Sequence, residues 1–600
     1  MKIGKGKISK KKSGNRGYSS IWVYIPSKIA NDSDFPFRDK EEVRIELKGE
    51  HMEIRKVYNL RDLTKPYGID EPTIPKLIES KAKINKEKPF IYFRDEIYSY
   101  YDANLFSNRI ANGLIKQIKK LKLKSPNIAL LFPNCPDALF SWFAIAKTGG
   151  VFVPINYQLK GEQLEFVLNN SKSKILILDY EYFNSINEIY QDLTQIKKIF
   201  IKDAPKDFNY TGKYANFLEL FSSYSQNPET TINSFHPLEI MYSAGTTGKP
   251  KGILYRNYTT LSGVSVGKLF EGSVFDEHIT KFYCPLPLFQ GLERYFLIIP
   301  IMFYNKSIII TENFEIETFW NDVEKYKPEV FCYYGAHLIS LINQPPSILD
   351  RTHSIKFAFG AGALKEIWET FERRFGVSII EIWALAEGIG ITINNVGSKG
   401  GKLGSVGKPV RGIEIKIVNA EGEELPPGRD NIGEIWARTR LPFELEYYNL
   451  RKETTTIKKD GRWVNTGDFG YKDQQGFLYY LGRESDMIQR NNETFFAIDI
   501  ELVANSHPLI VESAVFEVKN GSAEKELKMC AVIQKGVSIT PDEFYTFLKK
   551  NLAYFMVPRY IEFREELPKN ANELIQKFIL IDEWDSGLSI ENTHDMLKVE

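Results

Sequence analysis

Cysteine is scarce. Cys135, Cys284, Cys332 and Cys530 are the four in 600 residues, and no two form a C-x-x-C pair. That scatter argues against a disulfide framework and against a thiolate zinc site. Long apolar runs are missing as well. The most apolar stretch, 296–304, is interrupted by Pro300 and falls short of the ~20 residues a membrane span needs. It reads as a buried strand or helix. Neither sign of charge dominates, with 78 Lys and Arg against 77 Asp and Glu, so a protein built mainly to hold nucleic acid is not expected. Residues 1–16 carry seven basic side chains and no acid, but no apolar core of a secretory leader. They are expected as a disordered, solvated tail, on a cytoplasmic protein whose membrane contact would be peripheral at most.

What is present is the balance of a folded chain. Hydrophobic residues make up 43%, aromatics 13% and charged residues 26%, enough to build large cores. The length implies two or three domains. In 17–60, Val43, Ile45 and Leu47 alternate with Arg44 and Glu46, Lys48-Gly49-Glu50 supplies a turn, and 52–54 alternates again. This is a β-hairpin signal. With IPSKI and FPF ahead of it, the stretch resembles the small swapped-hairpin barrels of AbrB-like proteins, which implies a dimerising β module. From 73 to 481, helical periods alternate with short strands such as 127–132, 174–178, 306–310 and 377–382, the pattern of βα units in mixed sheets. Helix 138–147 places Leu139, Trp142, Phe143 and Ala146 on one face. A smaller α+β unit follows over 482–580, with helices at 498–506 and 540–551 and strands at 512–519 and 528–533, and then a tail, 581–600.

The strongest motif is Tyr242-Ser243-Ala244-Gly245-Thr246-Thr247-Gly248-Lys249-Pro250-Lys251-Gly252, directly after an apolar strand. Three glycines allow close backbone approach to a ligand. Ser243, Thr246 and Thr247 offer hydroxyls, the loop N–H groups can cup phosphate oxygens, and Lys249 and Lys251 add charge. Pro250 stands where a Walker loop needs Ser or Thr, so the motif is a different polyphosphate loop.

With these residues the chain resembles the adenylate-forming, AMP-binding superfamily of acyl-CoA synthetases, luciferases and peptide-synthetase adenylation domains, over about 73 to 580. The resemblance implies an α/β fold with a large N-terminal domain of mixed sheets and helices and a small mobile α+β C-terminal domain. It implies an acid–thiol ligase that uses ATP, Mg²⁺ and CoA: a carboxylic acid is activated to an acyl-adenylate, and the acyl group passes to CoA. It also implies roles. Pro285-Leu286-Pro287-Leu288-Phe289-Gln290 looks like the acid-pocket segment, with Gln290 where His is common. Gly360-Ala361-Gly362-Ala363-Leu364 is similar to the turn that touches adenine and the acyl group. In Glu381-Ile382-Trp383-Ala384-Leu385-Ala386-Glu387, Trp383 stands at the adenine position, and Glu387 at the Mg²⁺ carboxylate, with Thr246 and Lys251 nearby in the chemistry. Asp468, in Thr466-Gly467-Asp468, would hold the ribose, Arg483 would reach ribose or phosphate, and Ser485 stands at the hinge. The order from Phe319-Trp320 through Tyr334-Gly335 to Gln344-Pro345-Pro346 resembles the carnitine/crotonobetaine-CoA ligase and fatty-acid-transport-protein branch. It puts Gly335 by the acyl group and favours an aliphatic acid.

Three departures stand out. Aligned through Leu567-Pro568-Lys569 and Ile575-Gln576-Lys577, the family's catalytic Lys falls on Leu574 and its Gly on Glu573. Ala386 replaces a Thr beside Glu387, and Asn492 replaces a Gly near the thiol path. The expectation is an active ligase in which Lys569 or Lys577 supplies the missing charge. The alternative is an impaired nucleotide- or acyl-adenylate-binding protein.

Overall fold

The computed structural model describes the chain except residues 1–6, 14–17, 25–42, 49–50, 57–59, 243–249, 271–272, 364, 389, 395–400, 411, 440–444, 451–453, 455–457, 460–462, 491–492, 520–524, 571–573 and 598–600. It divides into two units, Met1–Leu63 and Thr64–Glu600.

In the first unit, Val43–Lys48 pairs antiparallel with His51–Lys56, the hairpin that the alternation predicts. The IPSKI and FPF segments lie outside the described residues. One expectation is corrected. Lys7–Ser13, assigned to a disordered tail, is a strand paired with Tyr18–Tyr24. In the register Lys7, Lys10, Lys11 and Lys12 stand opposite Tyr24, Ile21, Ser20 and Ser19.

In the second unit, two large sheets carry the architecture. A seven-stranded sheet runs in the order Tyr214–Asn216, Lys198–Lys202, Ile175–Asp179, Asn127–Leu131, Val151–Pro154, Pro237–Tyr242, Gly252–Arg256. Its inner strands are parallel and buried on both faces, which is why they read as unbroken apolar runs. A nine-stranded sheet places Ser378–Ala384, Phe357–Ala361, Val330–Tyr334 and Lys281–Cys284 side by side at its centre. Helices connect the strands. Tyr100–Lys120 starts at a capping box in which the Ser99 hydroxyl accepts from the Asp102 N–H and Asp102 accepts from the Ser99 N–H. Pro136–Thr148 opens on proline and stops at Gly149. Its apolar face is not the whole story: every residue from Ala138 to Lys147 is buried, because the helix packs on Tyr100–Lys120 and on sheet strands at once. The apolar stretch near Pro300 is a buried helix, a π-helical turn Glu293–Ile298 continuing into Ile299–Phe303.

A five-stranded sheet follows, with Trp463–Lys472 between Gly433–Thr439 and Leu478–Arg483. The last part of the chain packs helices Ala497–Asn505 and Pro541–Asn551 on a sheet ordered Ile510–Lys519, Lys525–Ile533, Tyr560–Arg564, His594–Asp595. The expected tail from 581 is therefore also corrected. Helix Lys577–Asp585 buries Leu580 and Trp584, and His594–Asp595 adds an edge strand fixed by an Arg559–Asp595 ion pair. The Trp584 ring packs on Tyr560 with centroids 4.9 Å apart, and its indole N–H donates to the Lys519 carbonyl at 2.8 Å. Trp584→Ala is expected to cost about 3–5 kcal/mol of stability in this region, the range for losing a buried Trp. Urea denaturation followed by fluorescence checks it.

Candidate active site

Strand Pro237–Tyr242 leads into the phosphate-loop motif and Gly252–Arg256 leads out of it. Ser243, Gly245, Thr246, Thr247, Gly248 and Lys249 lie outside the described residues; the flanks are described. The incoming strand is braced by a buried Arg294–Glu239 ion pair, with the Tyr295 hydroxyl donating to Glu239 at 3.0 Å. On the outgoing side Lys251 is exposed, its ammonium 5.6 Å from the centre of the Tyr447 ring. The Tyr447 hydroxyl donates to Glu387 Oε1 at 2.7 Å. Tyr447 is placed by backbone pairing: the Leu254 N–H donates to the Glu446 carbonyl at 2.9 Å and the Tyr448 N–H to the Gly252 carbonyl at 2.7 Å. The Tyr255 hydroxyl donates to the Ala386 carbonyl. Two tyrosines thus tie the exit of the loop to the Glu387 turn. Sequence reasoning missed both, because a tyrosine in an apolar run carries no signal of what its hydroxyl will reach.

Asp468 lies in strand Trp463–Lys472 and is 3% exposed. Trp383, on strand Ser378–Ala384 of the nine-stranded sheet, donates its indole N–H to Asp468 Oδ2 at 3.1 Å. Arg483, opposite Asp468 in the ladder, brings Nε to 3.2 Å from Oδ1. No hydrogen bond closes on Oδ1 among the described residues. Burial pushes the Asp468 carboxyl up to about 6, against the pull of Arg483 and Trp383. The Trp383 ring packs with Ile413, Ile415, Ile435 and Leu478, so it is core and Asp468 support together.

The glycine-rich turn joins the same end of the sheet. Gly360 and Ala361 end strand Phe357–Ala361, and Gly362 follows at φ +91°. A methyl on Gly335 would lie 2.1 Å from the Gly362 carbonyl oxygen, so the two stations touch backbone to backbone and Gly335 tolerates no side chain. Glu381 holds the turn in place. One of its oxygens accepts from the Gly362 N–H at 2.6 Å, the other from the Ala363 N–H at 3.1 Å and the Tyr333 hydroxyl at 2.6 Å. Burial raises its carboxyl to about 7 even so. Gln290 is half-buried in a turn closed by its own N–H on the Pro287 carbonyl at 3.0 Å.

The hinge region is a glycine and one helical turn. Gly482 has φ +140°, where a Cβ would meet Asp486 at 3.2 Å. Ser485 is exposed in Glu484–Asp486. Of the two substitute cations, Lys577 is committed: its ammonium lies 3.1 Å from Asp486 and 2.8 Å from Glu501. It ties the turn Glu484–Asp486 to the helix Ala497–Asn505. Lys569 sits on a hairpin in which it bridges Ile575, while the Asn570 N–H donates to the Leu574 carbonyl at 2.9 Å. It pairs with Glu512 at 2.8 Å, and Leu574 is 60% exposed. The charge of Lys569 also reaches His337, on the helix that starts at Gly335. Burial first, then the charge of Lys569, depresses that imidazole to about 3. Glu573 and Asn492 lie outside the described residues.

A family model described as AMP-binding enzyme matches residues 78–444, and one for the AMP-binding enzyme C-terminal domain matches 499–573. The chain belongs to the AMP-binding enzymes. It is similar to crotonobetaine/carnitine–CoA ligases of Escherichia coli O157:H7 and Shigella flexneri, each 28% identical over 494 residues, 80% of this chain and 92% of the relative. Among solved structures, an anthranilate CoA ligase with anthranoyl-AMP superposes with TM-score 0.74 at 21% identity, covering 86% of this chain and 98% of the other. The Bacillus subtilis O-succinylbenzoate CoA synthetase with AMP gives 0.69 at 23%, covering 84% and 97%. For this AMP-binding enzyme the two-domain α/β fold is thereby established.

The raised carboxyl of Asp468 has a consequence for stability. Its folded value of about 6 lies above the ordinary 3.8, so the protonated form is favoured by folding. The contribution is present below about pH 4 and is lost as pH rises through about 6, amounting to at most about 3 kcal/mol. In a pH series of urea melts, the difference between wild type and Asp468→Asn is expected to show this fall. Trp383→Phe, which removes the N–H that favours the carboxylate, is expected to move its midpoint upward.

Proposed function

We propose that this chain is an AMP-forming acid–thiol ligase, activating a carboxylic acid with ATP and passing the acyl group to CoA. One observation carries the reading: a buried carboxylate, Asp468, held by Trp383 and Arg483, stands close enough to Glu387 to feel its charge, while Glu387 is tied through Tyr447 to the exit of the phosphate loop. In this reading the ribose, phosphate and metal stations serve one site.

In this reading the loop Ser243, Gly245, Thr246, Thr247, Gly248, Lys249 and Lys251 cradles the phosphates. Asp468 accepts the ribose hydroxyls beside Arg483, and adenine lies between Trp383 and the Gly360-Ala361-Gly362 turn. The acid sits by Gln290, Gly335 and Gly362. Its carboxylate oxygen attacks the α-phosphorus in line, and pyrophosphate leaves. No protein nucleophile is used; the residues position the reactants and balance charge. Glu387 fits Mg²⁺: Tyr447 orients its carboxylate, and one carboxylate with phosphate oxygens is a common donor set for that ion, which would neutralise phosphate charge. The small domain then turns about Ser485, the CoA sulfur attacks the acyl carbon, and AMP leaves.

Lys569 is the substitute for the charge missing at Leu574, since its charge reaches His337 beside Gly335 while Lys577 lies between Asp486 and Glu501. The substrate is an aliphatic acid, as the resemblance to crotonobetaine/carnitine–CoA ligases supports. No described helix is long and apolar enough to cross a membrane. We assign the protein to the cytoplasm, and residues 17–60 to a dimerising module.

Acid-dependent ATP–pyrophosphate exchange with a panel of aliphatic acids tests the reading; absence of exchange with every acid sinks it. Lys569→Ala is expected to lower exchange by about 10²–10³, the cost of a lost preorganised charge. Thioester formation from supplied acyl-adenylate should be unchanged. Leu574→Lys is expected to change little in wild type and to rescue Lys569→Ala. A large gain in wild type instead would mean that the site has degenerated rather than been rewired.

A further inference from the structure

The acid-pocket segment leaves the sheet at Cys284. Pro285 and Pro287 carry no N–H, so Pro285-Leu286-Pro287-Leu288 ends the ladder in which Lys281–Cys284 pairs with Ser307–Ile310. The segment nonetheless stays inside the protein: Leu286 is fully buried and Leu288 nearly so. Buried backbone groups need partners, and here side chains supply them.

One side chain holds the segment at two points. Asn134 is 1% exposed, in the turn between strand Asn127–Leu131 and helix Pro136–Thr148. Its carbonyl oxygen accepts from the Leu288 N–H at 2.7 Å. Its amide nitrogen donates to the Leu286 carbonyl at 2.8 Å and to the Thr311 carbonyl at 3.1 Å. Of side chains that size, only an amide offers an acceptor and two donors; Asp lacks the donors and Leu lacks both. Thr311 follows strand Ser307–Ile310, so Asn134 reaches from the seven-stranded sheet to the ends of two neighbouring strands of the nine-stranded one. The Leu288 carbonyl accepts from Arg294, whose other nitrogens go to Glu239 on the strand that enters the phosphate loop. Leu288 is therefore fixed through both its backbone groups. Gln290 follows two residues later, its N–H closed on the Pro287 carbonyl.

We propose that Asn134 is the positioning residue of the acid half of the site: it fixes the segment that carries Gln290, and so the place from which the carboxylate attacks. The inference rests on the reading of the chain as an acid-activating ligase whose acid sits by Gln290, and deepens it. The three Asn134 bonds go to Leu286, Leu288 and Thr311, not to the phosphate loop, Asp468 or Glu387. Acid and nucleotide therefore respond separately to its loss.

The test is Asn134→Ala in the full-length protein, with its melt recorded. Two quantities are read: ATP–pyrophosphate exchange over a range of acid concentrations, and calorimetric ATP binding without acid. kcat/KM for the acid is expected to fall by about 10²-fold, the loss that a misplacement of about 1 Å brings. ATP affinity is expected to be unchanged. Asn134→Ser keeps a hydroxyl for one of the three backbone partners and is expected to lose less; it is judged by the same two readings if the alanine variant does not fold. Unchanged acid use in a folded variant overturns the inference. ATP affinity that falls in step with acid use overturns it too, since loosened packing alone would do that. Absence of exchange in wild type with every acid would instead sink the ligase reading, and the inference with it.

Discussion

The arrangement hangs on one buried carboxylate. Asp468 is out of water on a strand of the five-stranded sheet, supported by Trp383 from the nine-stranded sheet and by Arg483 on the neighbouring strand of its own sheet. Burying it without adequate compensation is unfavourable, as its raised carboxyl shows. The fold accepts that cost where the nine-stranded and five-stranded sheets meet at the start of the small domain. Replacing it with an apolar side chain would relieve the cost and remove the acceptor. The same logic recurs in Glu381, which is buried with three donors and holds the glycine-rich turn.

The small domain shows how similar lysines are given different work by their neighbours. Lys577 lies between Asp486 and Glu501, so its charge is neutralised where it can stiffen the hinge turn. Lys569 pairs with Glu512, and its charge reaches His337 on the helix that starts at Gly335. An exposed Leu574 on the Lys569 hairpin makes sense if the charge has moved along it rather than been lost.

Much of this was legible in the residues. The unbroken runs of the parallel strands follow from burial on both faces, and the hairpin at Val43–Lys48 and His51–Lys56 follows from its alternation. Glu387, Asp468 and Arg483 stood out as candidates because charged residues in a fixed order carry chemical meaning. Other parts were not. Tyr447 and Tyr255 act through hydroxyls whose targets lie 60 and 131 residues away. Lys7–Ser13 looked like solvated charge, since strand pairing uses the backbone and leaves little trace in side-chain character. The helix around Trp584 was lost because its pairing with Tyr560 and Lys519 is long-range. Lys577 and Lys569 look alike until their acid partners are seen.

The most direct measurement is calorimetric ATP binding to the full-length protein and to Asp468→Asn. The account predicts that the variant folds with its melting temperature not lowered near neutral pH, because a costly buried charge is gone. It predicts that ATP affinity falls by about tenfold or more, because the charged acceptor is gone. Undiminished affinity in a folded variant would contradict the central claim that Asp468 anchors the nucleotide.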